Sequence, residues 1–276
     1  MLADLGTKET ILEALPKILP GLDADLTKVI QRSFKGRGME IRTGVSVEGH
    51  SPTGSGTTVQ AGGEALDVDV VVVSVGRKPN TDDLGLDGTG VVVSDRGFIE
   101  VDAVCRTGEP GVWAVGDAIA TPALAHIGFI EGVIAIQGIL GEDPAGVDYA
   151  KVPWAVYCRP EAAFTGLSEE AAKQAGFDVV TQKSRFNHNG RAQIVNQPEG
   201  MVKVIAEKGP DDSKPGRVLG VHMVGPWVTE QLTGGYLAVN WEATVEEVAH
   251  FIQPHPTMSE VFGEAFLALA GRALHG

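Results

Sequence analysis

The 276 residues include 22 Lys and Arg against 36 Asp and Glu, which gives a formal net charge of −14, and 43% of them are hydrophobic. This acidic balance, without a Lys/Arg-rich run, argues against nucleic acid or an anionic membrane as a partner, and no apolar run is long enough to span a bilayer. The length predicts about two domains, and we expect a soluble protein in the cytoplasm.

The N-terminal residues alternate between strand and helix patterns. Thr10–Glu13 predicts a short strand that ends in an acid, and residues 26–36 predict an amphipathic helix. Short strands are also predicted at 39–42 and 57–60. The apolar run 69–76 predicts a buried parallel strand that stops at Gly76, and residues 76–80 then break the pattern at a domain crossing.

The predicted pattern of secondary structure changes after Pro153. Before it, residues 111–117 predict a second buried strand, and 125–140 predict a helix. Beyond it, gathered strands and then gathered helices indicate an α+β domain with an antiparallel sheet. Its predicted elements are strands at 155–158, 179–186, 201–207 and 218–224, turns at 198–200 and 209–212, and helices at 168–175, 229–241, Val245–Ala249 and 259–270.

The two cysteines, Cys105 and Cys158, are 53 positions apart. This spacing fits neither a CxxC redox motif nor a pair of metal ligands, so we expect two reduced thiols and no metal site.

Two acids lie where ligands collect in open α/β sheets, at the carboxyl ends of predicted strands. Glu13 could accept hydrogen bonds from an adenosine ribose, but alone it is more often a surface acid. Asp117 could hold a ribose or ribityl hydroxyl, or it could cap the following helix. Leu124, Ala125 and His126 open that helix, whose free N–H groups suit an electron-rich heterocycle, although a lone histidine there is more often a surface residue.

His255 and Glu260 form the sharpest pair in the sequence. A neutral imidazole can take a thiol proton, and a carboxylate can fix its tautomer and raise its basicity. Thr257 and Glu260 also fit a capping box, in which the glutamate accepts the threonine N–H. From local features the capping interpretation is the commoner one, but it leaves His255 unexplained.

Taken together, these stretches resemble the flavoprotein disulfide reductases, and within them the branch that oxidises dihydrolipoamide. Each stretch is weak alone, but the set is specific because it occurs in the family's order over nearly the whole chain. The matching stretches are TILEALPKILP (10–20), VGRKPN (75–80), WAVGD (113–117), LAHIGFIEG (124–132), YCRPEAAFTG (157–166), LGVHMVGPWVTE (219–230) and HPTMSE (255–260).

The resemblance implies an α/β fold with partial Rossmann-like NAD and FAD domains, followed by an α+β dimerisation domain with an antiparallel sheet. It divides the chain into a partial NAD-binding domain (1–76), a central FAD-contacting segment (77–150) and an interface domain (151–276).

The resemblance also implies roles for single residues. Glu13 would bind NAD. Asp117 would bind the ribityl chain of FAD, with Gly76 as a further cofactor contact. Leu124, Ala125 and His126 would face the flavin. His255 would be the acid/base, oriented by Glu260. It would act at the flavin of the other subunit, so the resemblance implies a homodimer. The substrate of this enzyme would be the dihydrolipoyl group of a 2-oxo acid dehydrogenase complex.

Two parts of the family pattern are absent from the sequence: a GxGxxG turn for either dinucleotide and a CxxxxC dithiol. The resemblance therefore implies the C-terminal part of such an enzyme, and we expect no reductase activity from this polypeptide alone. Two alternatives stay open: a reductase of the mycothione or glutathione type, and a non-catalytic dimerisation fragment.

Overall fold

A computed structural model describes residues 1–209 and 214–275 and divides the chain into two compact units. Unit 1 combines Met1–Val71 with Pro153–Gly276, and unit 2 is Val72–Val152. The predicted turn at 209–212 lies, apart from Gly209, outside the described residues.

The strands of the described residues form three sheets, all of them in unit 1. A parallel pair and a three-stranded antiparallel sheet come from the N-terminal residues, and a five-stranded antiparallel sheet of order β6-β7-β10-β9-β8 comes from the C-terminal residues. The strands are β1 (Thr10–Glu13), β2 (Glu40–Thr43), β3 (Val47–Pro52), β4 (Thr57–Ala61), β5 (Glu64–Val68), β6 (Trp154–Val156), β7 (Glu161–Gly166), β8 (Val179–Arg185), β9 (Met201–Lys208) and β10 (Pro215–Gly225).

Eight α-helices complete the described structure, and only α2 belongs to unit 2. They are α1 (Ala24–Gly36), α2 (Ala125–Ile139), α3 (Glu169–Gln174), α4 (Gly190–Ile194), α5 (Val228–Gln231), α6 (Thr233–Asn240), α7 (Val245–Ala249) and α8 (Glu260–Leu269). The predicted antiparallel sheet and most predicted helices are confirmed, whereas the helix predicted at 229–241 is divided into α5 and α6.

The five-stranded sheet is covered on both faces by helices of unit 1. On one side, Leu26 and Ile30 of α1 are fully buried in a cluster with Phe164 of β7. On the other, Phe262 and Phe266 of α8 pack in the cluster that includes Met223 of β10 and other buried residues of α6 and α7. Each fully buried side chain of this size stabilises the fold by about 1.5–3 kcal/mol.

A buried ammonium ties the N-terminal residues to this sheet. Lys203 of β9 is almost wholly inaccessible, and its Nζ lies 2.9 Å from Asp23 Oδ1, 2.9 Å from Asp25 Oδ2 and 2.7 Å from Glu169 Oε2. Burial alone would lower the pKa of Lys203, but the hydrogen bonds to these carboxylates raise it above its ordinary value. Lys203 therefore stays charged, and the three acids satisfy its three donors.

Two predicted buried strands are absent from the described residues. Residues 70–75 are irregular and exposed, and 111–117 contain a bridge at Trp113 followed by a 3₁₀ turn, Gly116–Ala118. The reason is physical: an apolar run forms a buried strand only where neighbouring strands accept hydrogen bonds from its N–H groups and donate hydrogen bonds to its C=O groups. No described strand pairs with residues 70–75.

Unit 2 has a small core of its own, made by Ile99, Cys105, Ile119 and Ala135. Helix α2 buries Ile127 and Ile134, yet Phe129, Val133 and Ile136 on its other face are more than half exposed. Among the described residues, no helix combines the length and apolar character needed to cross a bilayer.

Candidate functional site

His255 and Glu260 meet at the start of α8, as the sequence predicts. The Nδ1–H of His255 donates to Glu260 Oε1 over 2.8 Å, and the His255 side chain is 79% exposed while that of Glu260 is 24% exposed. An ionised carboxylate only accepts hydrogen bonds, so this contact places the ring proton on Nδ1. The exposed Nε2 is then the atom that can accept a proton from a substrate.

Glu260 contacts His255, but the capping box predicted for Thr257 and Glu260 is only half formed. Its second oxygen, Oε2, accepts the Thr257 N–H at 2.8 Å, which is the glutamate half of a capping box. The threonine half is missing, because Ser259 is the N-cap of α8 and the Thr257 hydroxyl donates to the Pro254 carbonyl instead. A complete capping box lies at α7, between Thr244 and Glu247.

The ionised form of Glu260 is favoured at this position. Burial raises the pKa of the carboxyl, but the hydrogen bonds from His255 and from the Thr257 N–H lower it, and the net pKa lies below the ordinary value. Near neutral pH the carboxylate is therefore charged and can stabilise a protonated imidazole.

A cavity of about 260 Å³ lies beside this pair. Its lining includes His188 and Asn189, which follow β8, together with His255, Glu260 and Glu264 of α8. The imidazole thus borders a space large enough for a small polar group. The described residues contain no cluster of three His, Cys, Asp or Glu side chains that could hold a metal ion.

The second group of predicted site residues lies in unit 2. The Asp117 carboxylate is 53% exposed, stands in the 3₁₀ turn and accepts a hydrogen bond from Arg77 Nη1 at 3.2 Å. Leu124 is the N-cap residue of α2, and no side chain forms a capping hydrogen bond at this end of the helix. Asp117 therefore does not cap α2. Ala125 and His126 form its exposed first turn, and Gly76 lies in the irregular segment with a φ of 129°.

Sequence reasoning missed Glu131, which is fully buried under this turn. Its Oε2 accepts the Gly116 N–H at 2.6 Å and its Oε1 accepts the Tyr149 hydroxyl at 2.8 Å. Burial and this hydrogen bond raise the pKa of Tyr149. A buried acid in an apolar helix was the available signal, since Glu is almost never fully buried without partners.

The remaining candidates are ordinary in their surroundings. Glu13 ends β1, is half-buried, and accepts the Leu15 N–H through Oε1 at 2.8 Å. Cys105 and Cys158 are both free, as expected. Burial raises the pKa of Cys105 to about 11 and also raises that of Cys158, so neither is poised to react as a thiolate.

Comparison with known proteins gives a consistent result along the chain. Residues 1–132 match the family described as pyridine nucleotide-disulphide oxidoreductase, and residues 152–266 match the dimerisation domain of pyridine nucleotide-disulphide oxidoreductases. Dihydrolipoyl dehydrogenases from Geobacillus stearothermophilus and Cupriavidus necator are each 38% identical, over 99% and 98% of this chain.

Solved structures agree with these sequence relatives. LpdA from Mycobacterium tuberculosis superposes with a TM-score of 0.88 at 28% identity, covering 97% of this chain and 57% of that one. The HOCl-induced flavoprotein disulfide reductase RclA from Escherichia coli gives 0.87 at 27% identity, covering 96% and 60%. The chain spans 58% and 57% of the two curated relatives.

Proposed function

We propose that this chain, which belongs to the pyridine nucleotide-disulphide oxidoreductase family, is the C-terminal part of a dihydrolipoyl dehydrogenase. The complete enzyme would oxidise the dihydrolipoyl group of a 2-oxo acid dehydrogenase complex, with FAD and NAD as cofactors. The 38% identity to dihydrolipoyl dehydrogenases over nearly the whole chain favours this reaction over that of a mycothione or glutathione reductase.

The observation that carries the proposal is the contact between His255 and Glu260. With Nδ1–H held by the carboxylate, Nε2 accepts the proton of a dihydrolipoamide thiol, and the charge that develops on the ring is stabilised by Glu260. The thiolate would attack one sulfur of a disulfide in a CxxxxC segment outside this sequence, which breaks that S–S bond and forms a mixed disulfide. The second dihydrolipoyl sulfur would then close the lipoyl disulfide and leave the enzyme with a reduced dithiol. Bound FAD supplies the electron transfer between the dithiol and NAD.

The residues of unit 2 fit two parts of an FAD molecule. The exposed carboxylate of Asp117 can accept hydrogen bonds from ribityl hydroxyls, and the uncapped start of α2 at Leu124, Ala125 and His126 suits the electron-rich edge of a flavin. In unit 1, Glu13 keeps Oε2 for an NAD ribose hydroxyl. Gly76 has no side chain to obstruct a cofactor. The pyrophosphate-binding turns must come from elsewhere in the complete protein.

The exposure of the imidazole and its neighbours supports a homodimer. His255 follows Phe251 and Ile252, which are 56% and 95% exposed, and residues 152–266 match a dimerisation domain. An apolar segment of this kind is normally covered. We infer that the segment packs against a second copy and presents His255 to that copy's dithiol.

The test requires a complete enzyme. A chimaera that joins this chain to the part of the Geobacillus stearothermophilus relative outside the matched 58% would supply one. His255→Ala should lower NAD reduction by dihydrolipoamide by about 10²–10⁴-fold, the usual contribution of a general base. The matched control is His250→Ala, because His250 is also exposed and its ring contacts Glu246 of α7, through Nδ1 and the backbone carbonyl at 2.8 Å and through Nε2 and the carboxylate at 3.8 Å.

Four outcomes would count against the proposal. Equal loss in His250→Ala would show a general effect of removing an imidazole, and unchanged turnover in His255→Ala would remove His255 from the reaction. A parent chimaera that ignores dihydrolipoamide but oxidises NADPH with a disulfide would assign the chain to the glutathione-type branch. A folded, dimeric chimaera without either activity would favour the dimerisation fragment.

A further inference from the structure

Asn189 is buried, and both polar atoms of its side-chain amide form hydrogen bonds. The residue is 8% exposed. Its Oδ1 accepts the Ala192 N–H at 2.8 Å and caps α4, and its Nδ2 donates to the Thr257 carbonyl at 3.0 Å. An N–H donor on one side and a carbonyl on the other fix the orientation of the amide. The second bond joins residues that are 68 positions apart.

Thr257 stands between the two members of the His255–Glu260 pair. Its N–H holds Glu260 Oε2, its hydroxyl holds the Pro254 carbonyl, and its own carbonyl is held by Asn189. The peptide groups around Thr257 are therefore fixed from both directions. Glu260 in turn holds the ring through Nδ1.

The segment that carries His255 has little other support. Residues 252–257 contain neither helix nor strand. Within the described residues, the bond from Asn189 is the one hydrogen bond that connects 252–257 to a part of the chain outside 252–260. Asn189 also lines the same cavity as His255.

We propose that Asn189 is a positioning residue for His255, which it fixes through Thr257 and Glu260. The inference rests on the proposed function, because it concerns the same proton transfer. A catalytic group must be held close to its productive geometry, and a loop residue gains that precision from the hydrogen bonds around it. In this role Asn189 acts through its hydrogen bond to Thr257 and does not itself transfer a proton.

Asn189→Ser separates the two bonds of the amide. Serine caps a helix about as well as asparagine, so α4 keeps its cap, but the shorter side chain cannot reach the Thr257 carbonyl. We expect the complete chimaeric enzyme to lose about tenfold in kcat/KM for dihydrolipoamide, the equivalent of one hydrogen bond. NADH-dependent reduction of an artificial electron acceptor, which needs no thiol deprotonation, should not change.

A double-mutant cycle identifies the route of the effect. If Asn189 acts through His255, Asn189→Ser causes no further loss of dihydrolipoamide oxidation in an enzyme that already carries His255→Ala. A general structural defect would instead lower both dihydrolipoamide oxidation and NADH-dependent reduction of the artificial acceptor, with or without His255→Ala. Full thiol activity in Asn189→Ser, with the parent active, would overturn the inference alone. A parent without dihydrolipoamide activity would instead overturn the proposed function.

Discussion

At the scale of single residues, the site depends on one carboxylate that holds two donors. Glu260 accepts His255 Nδ1–H through one oxygen and the Thr257 N–H through the other. The structural and chemical interpretations of this residue are therefore compatible rather than exclusive. Local features favoured the capping interpretation of Glu260, and its role as the partner of His255 came from the family resemblance; the structure shows the contact between the two side chains.

His222 is a second histidine whose behaviour follows from its surroundings. It is fully buried in β10, stacks on Phe164, accepts the Asp23 N–H through Nδ1, and lies near the charge of Lys203. Burial lowers its pKa from 6.5 to about 4, although Asp23 acts in the opposite direction. The folded protein therefore resists a proton that the unfolded chain takes up below about pH 6.5.

This difference predicts how stability changes with pH. Above pH 6.5, His222 is neutral in both the folded and the unfolded state and does not change the free energy of unfolding. As the pH falls from 6.5 to 4, the free energy of unfolding should decrease by up to about 3 kcal/mol. Asp25 acts in a lower window, because its hydrogen bond from Lys203 lowers its pKa to about 2 and its contribution is lost only below about pH 3.8. Denaturant titrations at pH 7, 5.5 and 4.5 measure the change.

His222→Gln should flatten the dependence between pH 6.5 and 4, because glutamine keeps an acceptor but does not titrate there. His250→Gln, which removes an imidazole at an exposed position, is the matched control. An equal pH dependence in the His222 variant and the parent would contradict the assignment.

At the scale of elements, the turn that carries Asp117 depends on a glycine and a buried acid. Gly116 has a φ of 69°, a left-handed conformation that costs other residues about 1–2 kcal/mol, and Glu131 of α2 accepts its N–H. Gly128 allows a close approach at this point, because a Cβ there would lie 3.4 Å from the Gly116 Cα.

Two alanine substitutions should therefore have opposite effects on unit 2. Gly116→Ala should lower the opening free energy of α2 amides by about 1–2 kcal/mol. Gly132→Ala, in the interior of α2 with open space around it, should raise helix stability by about 0.5–1 kcal/mol. Native-state hydrogen exchange at α2 measures both, and destabilisation of equal size in the two variants would refute the argument.

The sequence predicts elements well where the pattern is local and poorly where it depends on neighbours. The alternation at Thr57–Ala61 and the apolar face of α1 both have the predicted structure. Residues 70–75 do not, since a continuous apolar run indicates burial but does not supply the strands that would bury it. Asn189 escaped notice because its partner, Thr257, is distant in sequence and the contact is made through a backbone carbonyl.

At the scale of the whole molecule, the N-terminal 71 residues and the C-terminal domain share one core. Helix α1 covers a face of the five-stranded sheet, and Lys203 joins Asp23 and Asp25 to Glu169. The division into NAD-binding, FAD-contacting and interface segments stays a prediction about function. The exposed apolar face of α2 is consistent with the proposal that the complete enzyme contains further polypeptide.

The most direct test of the account asks whether His255 works on a second copy. One chimaera carries His255→Ala and an intact dithiol. The other carries His255 and a serine in place of one dithiol cysteine. The two chimaeras are co-expressed with different tags, and the mixed dimer is purified. We predict that each chimaera alone is nearly inactive and that the mixed dimer oxidises dihydrolipoamide, because one intact imidazole meets one intact dithiol. An inactive mixed dimer, beside an active parent chimaera, would contradict the central claim.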